Sequence, residues 1–298
     1  MLRANFGDRF MTVVIYTLLI FLAFITLYPF WNSVVISFNS GKDTMLGGIT
    51  FWPREFTLEN YNVVFEDKRI IQGFMITVSR TVIGTVVGIL ATSLFAYGLS
   101  RRGLIFRKYY MVMAVVTMYF TGGLIPNFLL IRGLGLMDTF WVMILPVMIN
   151  VWNMIIFMTF FRSIPAGLEE AAKLDGCGTW SVFFRIVLPL SGPVIATLGL
   201  FTAVQHWNEW FLPSIYLNNT DLYPVQTLLR QILNSNIMSE QLANLDSAAL
   251  TQLSKMQSIT TKSLSMATMV VSTLPVMLIY PFVQKYFSKG VMIGSLKE

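Results

Sequence analysis

The sequence predicts an all-α integral membrane protein with six transmembrane helices, and three observations lead there. Of its 298 residues, 55% are hydrophobic and 12% charged, where a soluble domain carries roughly a quarter charged residues. The mean hydropathy is +0.65. Six runs of 20 or more residues (10–41, 81–100, 109–131, 139–161, 186–208 and 263–284) contain no Asp, Glu, Lys or Arg, and together hold nearly half the chain. About 20 apolar residues carry a helix across a bilayer core of about 30 Å, so each run is long enough for one span. In lipid only helices and closed barrels satisfy their own backbone, and the short alternating segments of a barrel are missing from this sequence.

The expected spans are about 12–38, 78–100, 109–131, 139–161, 184–212 and 263–285, within a single membrane domain covering 1–298. The first follows Arg3 and Arg9 but is too long for a signal peptide and lacks a small-residue cleavage site, so it reads as retained. The segment 42–73 is too long for a turn; it holds Trp52-Pro53 and Thr57-Leu58-Glu59-Asn60-Tyr61, where Thr57 is placed to cap a short helix. In the second span Gly84 and Gly88 form a Gly-x-x-x-Gly that lets helices approach closely, a packing feature. The segment 213–262 is rich in Asn, Gln, Ser and Thr, with Val225, Leu228, Leu229, Ile232 and Leu233 at helical spacing. It reads either as a solvated cap or as a docking surface for an external protein. Cys177 stands alone, so there is no internal disulfide, Cys-based metal site or redox pair.

Charge sets the orientation. With the amino terminus inside, the inner segments hold twelve Lys and Arg against five acids, and the rest of the chain nine against ten. The positive-inside rule then places both termini in the cytoplasm and the segments 42–73 and 213–262 outside. Topology accounts for the net charge of +6, so the basic balance is no sign of nucleic-acid binding.

The inner loop between the fourth and fifth spans carries the most information. From Ser163 through Pro165, Glu169 and Glu170 to Gly176 it reads as a short helix at about 164–176, with Ser163 as its cap and Gly176 in left-handed backbone at its end. Glu170-Ala171-Ala172, then three residues, Gly176, nine residues and Ile186-Val187-Leu188-Pro189 match the EAA-x3-G-x9-I-x-L-P signature of the permease subunits of ABC importers. Thr57 to Tyr61, Trp207-Asn208-Glu209-Trp210 and the tail Lys289-Gly290-Val291-Met292-Ile293-Gly294 resemble maltose-type carbohydrate permeases, with the nearest likeness to permeases for complex and uronate oligosaccharides.

The resemblance implies the type I importer permease fold, with a cytoplasmic coupling helix seated in a cleft of a separate ATPase. Glu169, Glu170, Ala171, Ala172, Asp175, Gly176, Leu188 and Pro189 are the residues that carry the coupling role. It also implies the partners: a homologous permease subunit, two ATPase subunits, an extracellular solute-binding protein and an oligosaccharide substrate, within membrane lipid and without nucleic acid. No phosphate-binding Gly-x4-Gly-Lys-Ser/Thr loop occurs. The expectation is therefore no cofactor in this chain, with ATP and Mg in the partner ATPases, and no enzyme activity of its own.

Polar residues inside spans are costly and are functional candidates by default. His206, Trp207, Asn208 and Glu209 form one group, and Asn150, Trp152 and Asn153 a second. Aromatic faces stack on pyranose rings while Asn, His and Glu bond hydroxyls, which suits a sugar path; interfacial anchoring by the Trp residues is the plainer alternative. An ionised Glu209 facing the path would repel an acidic sugar. His206 is the only histidine, and without a partner ligand at metal spacing it argues against a metal site. Two rival functions are an ion-coupled secondary transporter, which calls for buried acids or inverted repeats, and a membrane-embedded enzyme, for which catalytic motifs are missing.

Overall fold

The computed structural model describes residues 6–101, 103–234 and 260–295, and side chains as far as Ile279. The part of the polar segment from 235 to 259, and the side chains of 289–294, lie outside the described residues. Cα packing divides the chain into two compact units, Met1–Ile70 with Leu229–Leu274 and Ile71–Leu228 with Pro275–Glu298.

Among the described residues three helices are long and apolar enough to span a membrane unbroken. They are α1 (Phe6–Ser37), α4 (Lys68–Ser100) and the last helix, Thr261–Ser295. The other three apolar runs are bent pairs. The helices α5 (Arg107–Tyr119) and α6 (Leu124–Gly133) meet at 113°. The 3-10 turns of Phe140–Val147 meet α7 (Val151–Ser163) at 52°, and the segment Thr179–Leu190, which opens with α9 (Thr179–Val182) and closes with α10 (Leu188–Leu190), meets α11 (Gly192–Asn208) at 82°.

Three of the six expected spans are thus bent, and each break has a local cause. Gly122 and Gly123 precede α6, and Gly123 takes φ +83°, a conformation a side chain disfavours. Pro146 sits in the 3-10 turn just before the second break, and Pro189 and Pro193 flank the third, each removing a backbone donor. Residues Phe183–Val187 form a π-helical turn just before Pro189, where the Leu188 N–H reaches back to the Phe183 carbonyl. The Ser191 hydroxyl donates to the Val187 carbonyl at 2.6 Å beside the Ser191 N–H at 3.1 Å, so both donors of this residue close the turn at the bend.

In the first unit the polar links hold a chain reversal. Asn39 is fully buried and its carbonyl oxygen accepts the N–H groups of Arg54 and Glu55 at 2.8 and 3.0 Å. Its amide donates to Asp43, on the short helix α2 (Gly41–Met45), at 2.9 Å. Asn60, on α3 (Glu59–Glu66), donates to the carbonyls of Ser37 and Asn39, both at 3.0 Å. Tyr61 shares a 2.7 Å hydrogen bond with Ser37, and Thr57 accepts the N–H of Glu59 at 3.1 Å. The Thr57 to Tyr61 motif is thus the anchor of this reversal.

In the second unit one apolar core gathers Ile89, Ala96 and Tyr97 of α4, Phe157 and Phe161 of α7, Phe183 of the π turn and Leu198 of α11. A smaller cluster joins Ile131, Val142, Met143 and Tyr216, the last on α12 (Phe211–Tyr216). Residues 225–234 are helical, with Val225, Leu228 and Leu229 buried, as the sequence spacing requires.

Candidate functional site: an exposed coupling helix and a buried polar cavity

The helix α8 (Ala166–Leu174) stands between α7 and the π turn. Its start differs from the sequence reading. Ser163 ends α7 and donates to the Phe160 carbonyl at 2.7 Å, while Pro165 takes the capping position without a side-chain bond. Proline fits there because its ring presets φ and the missing N–H had no helical partner. The other end follows the pattern closed by glycine: Gly176 has φ +81°, its N–H donates to the Lys173 carbonyl, and the Cys177 N–H to that of Ala172. Asp175, the C-cap, is exposed.

The two glutamates diverge. Glu169 is half-buried and forms an ion pair with Arg101, just beyond α4. The Arg101 guanidinium lies 3.9 Å above the Tyr97 ring, a cation–π contact. The Tyr97 ring centroid is 5.0 Å from that of Phe183 and 6.2 Å from that of Phe161. Burial raises the Glu169 carboxyl above its ordinary value, the charge of Lys173 opposing it, and lowers the Arg101 guanidinium. Ala172 is buried in the core, and Glu170 and Ala171 are exposed on the outer face of α8. Leu188 packs half-buried against the core, and Pro189 is exposed at the 82° bend. The sequence places both acids on one helix; packing ties one down and leaves the other presented.

A second feature is built along one face of α4. Arg80, Gly84, Gly88 and Thr92 recur every four residues, so they form a slowly winding stripe. A Cβ on Gly84 would lie 2.6 Å from the His206 ring, and one on Gly88 would lie 3.4 Å from the Met148 carbonyl oxygen. The glycine pair therefore seats a side chain from α11 and the backbone before α7. Thr92 donates to the Met148 carbonyl and accepts the Asn150 N–H, both at 3.3 Å. Asn150 caps α7 by accepting the Asn153 N–H at 3.0 Å, and Asn153 donates to Thr202 on α11 at 3.3 Å.

These groups enclose a cavity of about 20 Å³, lined among others by Arg80, Asn150, Asn153, Gln205, His206 and Glu209. That is room for about one water molecule. Members of both sequence-predicted polar groups, Asn150 and Asn153 with His206 and Glu209, thus meet at one place. Trp152, Trp207 and Asn208 do not belong to it. Trp152 and Asn208 are exposed, because a helix turns about 100° per residue and successive side chains face different ways. Trp207 is buried in a separate, mainly apolar groove of about 340 Å³ with Thr81, Phe201 and Ile279. Glu209 breaks α11: its Oε1 accepts the N–H groups of Phe211 and Leu212 at 2.8 and 3.1 Å, capping α12.

Arg80 enters the sequence reading only as one of the nine basic residues counted outside the inner segments, yet it is fully buried and donates Nη1 to the Glu209 carbonyl at 2.9 Å. The signal was available: a charge opening a Gly-x-x-x-Gly stripe points at whatever the glycines pack against.

Residues 84–293 match the family described as binding-protein-dependent transport system inner membrane component. The polygalacturonan/rhamnogalacturonan transport system permease protein YtcP of Bacillus subtilis is 42% identical over 97% of this chain and 99% of its own. LplC of the same organism is 38% identical, covering 92% of this chain and 90% of that protein. A chain from the crystal structure of a bacterial ABC transporter involved in the import of the acidic polysaccharide alginate superposes with a TM-score of 0.84 and 30% identity, over 95% of this chain and 98% of that one. With the apolar spans, the EAA-type loop and this fold in hand, the chain belongs to the inner membrane components of binding-protein-dependent transport systems, the permease subunits of ABC importers.

Proposed function

We propose that this chain passes an oligosaccharide, delivered by an extracellular solute-binding protein, into the cytoplasm by alternating access. It works with one homologous permease subunit and two ATPase subunits, which hold ATP and Mg, and needs no cofactor of its own. Both termini lie in the cytoplasm, in keeping with the inward bias of Lys and Arg. The observation that carries the reading is α8: anchored within the chain through Glu169 and Ala172, it presents Glu170 and Ala171 outward. That is what a helix transmitting motion from a separate motor requires, since its inner side must be rigid and its outer side available. Glu170 engages the ATPase; Gly176, Leu188 and Pro189 hold the turn and bend behind it. Carbohydrate is the cargo whose hydroxyls the amides and imidazole of the cavity can bond, and two of the proteins named above carry polygalacturonan/rhamnogalacturonan and alginate in their descriptions.

The experiment is co-purification of the tagged chain followed by uptake into reconstituted vesicles. Recovery of a second permease and an ATPase, with ATP-dependent uptake of an oligosaccharide by loaded binding protein, is expected. Uptake confined to a non-sugar sinks the cargo assignment. A proton or sodium gradient driving uptake without ATP favours the secondary-transport alternative.

A further inference from the structure

Arg80 makes one hydrogen bond, from Nη1, while its Nε and Nη2 are buried with no partner. The ion pairs among the described residues are Arg54–Asp43, Arg69–Asp67 and Arg101–Glu169, so no described acid touches the Arg80 guanidinium, and Glu209, on the same cavity wall, acts on it only across a distance. Arginine keeps its charge inside proteins, and an unpaired buried charge is expensive enough that it persists where a partner arrives during function. Nε and Nη2 carry the two parallel N–H bonds along one edge of the guanidinium, the fork that receives both oxygens of a carboxylate. The acid nearest to hand is turned elsewhere, since Glu209 directs its Oε1 to the backbone of α12. The same cavity is lined by Asn150, Asn153, Gln205 and His206, neutral groups that bond hydroxyls.

We propose that Arg80 receives the carboxylate of an acidic sugar as it crosses this permease, the Nε/Nη2 edge taking its two oxygens. The proposal rests on the oligosaccharide reading above and narrows it to uronate-bearing cargo. The repulsion expected from an ionised Glu209 is thereby offset, because Arg80 lines the same cavity and Glu209 commits its Oε1 to the backbone of α12. The cavity of about 20 Å³ is the closed form of the site; α4, α7 and α11 part to admit a ring, as alternation between two access states demands. Gly84 and Gly88 allow the closed form by letting His206 and the Met148 carbonyl rest against α4.

The test uses the reconstituted complex with its binding protein and two probes, trigalacturonate and its methyl ester, which share rings and hydroxyls and differ in charge. Each rate is divided by the probe's measured occupancy of the binding protein. The wild type is expected to move trigalacturonate ~10-fold or more faster than the ester, the size of one charge-assisted hydrogen bond. Arg80→Gln removes that preference by slowing trigalacturonate alone, and Arg80→Lys, which keeps the charge but not the fork, retains part of it. Equal slowing of both probes marks a structural role and overturns the proposal, as does a preference that survives Arg80→Gln. Should Arg80→Gln not assemble, the wild-type comparison decides: equal rates for acid and ester overturn the carboxylate assignment while the oligosaccharide reading stands. Transport of neither probe and of no neutral oligosaccharide removes that reading, and this one with it.

Discussion

Glu169 and Glu170 are neighbours with the same side chain and different work. Glu170 is exposed on α8 and makes no side-chain hydrogen bond or ion pair with another described residue. Glu170→Ala is expected to lower transport and binding-protein-stimulated ATPase together, leaving the unfolding temperature unchanged; transport at the wild-type rate in vesicles would falsify its coupling role. Glu169→Ala strands the half-buried Arg101 over Tyr97. Orphaning a buried donor costs about 1–3 kcal/mol, so this variant should unfold at lower temperature, with Arg101→Met partly rescuing it in the double variant because both charges are then gone. Gly176→Val acts through the backbone alone: nothing lies within 4 Å of its missing Cβ, but φ is +81°. A β-branched residue there costs about 1–2 kcal/mol, read as a loss of stability and of coupling.

At the scale of elements, the stripe on α4 decides how closely α11 and the turn before α7 can lie. Gly84→Ala puts a methyl 2.6 Å from the buried His206 ring, whereas Gly88→Ala meets its neighbours at 3.4 Å or more, an ordinary contact. Overpacking of this kind costs about 1–3 kcal/mol. Uptake and thermal stability should therefore fall with Gly84→Ala and stay near wild type with Gly88→Ala; the reverse order would place the close approach elsewhere. The reversal held by Asn39 is pH-sensitive in one direction. The Asn39 amide, then the Arg54 guanidinium, hold the Asp43 carboxyl below its ordinary value. A depressed carboxyl contributes stability that is present above its unfolded pKa, near ~4, and is lost as pH falls through the folded value. Unfolding temperatures followed from pH 6 downward should drop more steeply below about pH 4 in the wild type than in Asp43→Asn.

For the whole molecule, topology is the property that every functional statement depends on. Leu46 is exposed in the segment assigned outside, and Cys177, the single cysteine, is partly exposed beside α8 in the loop assigned inside. A membrane-impermeant maleimide should label Leu46→Cys, placed in a Cys177→Ser background, in intact cells, and the native Cys177 only in inverted vesicles. The opposite pattern inverts the topology and removes α8 from the side where ATP is hydrolysed.

Membrane residence, the helical class and the place of α8 were legible in the sequence because they follow from composition and from short, local spacings. Twenty apolar residues mark a span whatever surrounds them, and Gly176 marks a helix end because its left-handed backbone is a property of that one residue. The same local reasoning could not tell a straight span from a bent one, since hydropathy counts Gly122, Pro146 and Pro189 as compatible with lipid while the backbone turns at them. It grouped Trp152 with Asn153 and Trp207 with His206 by adjacency, although adjacent helical residues point about 100° apart. Only the tertiary structure decided that Asn150, Asn153, His206 and Glu209 share one cavity, that Glu169 is held while Glu170 is presented, and that Arg80 lies buried with two donors unmatched. Those outcomes rest on contacts between helices up to 129 residues apart along the chain, which no window of sequence contains.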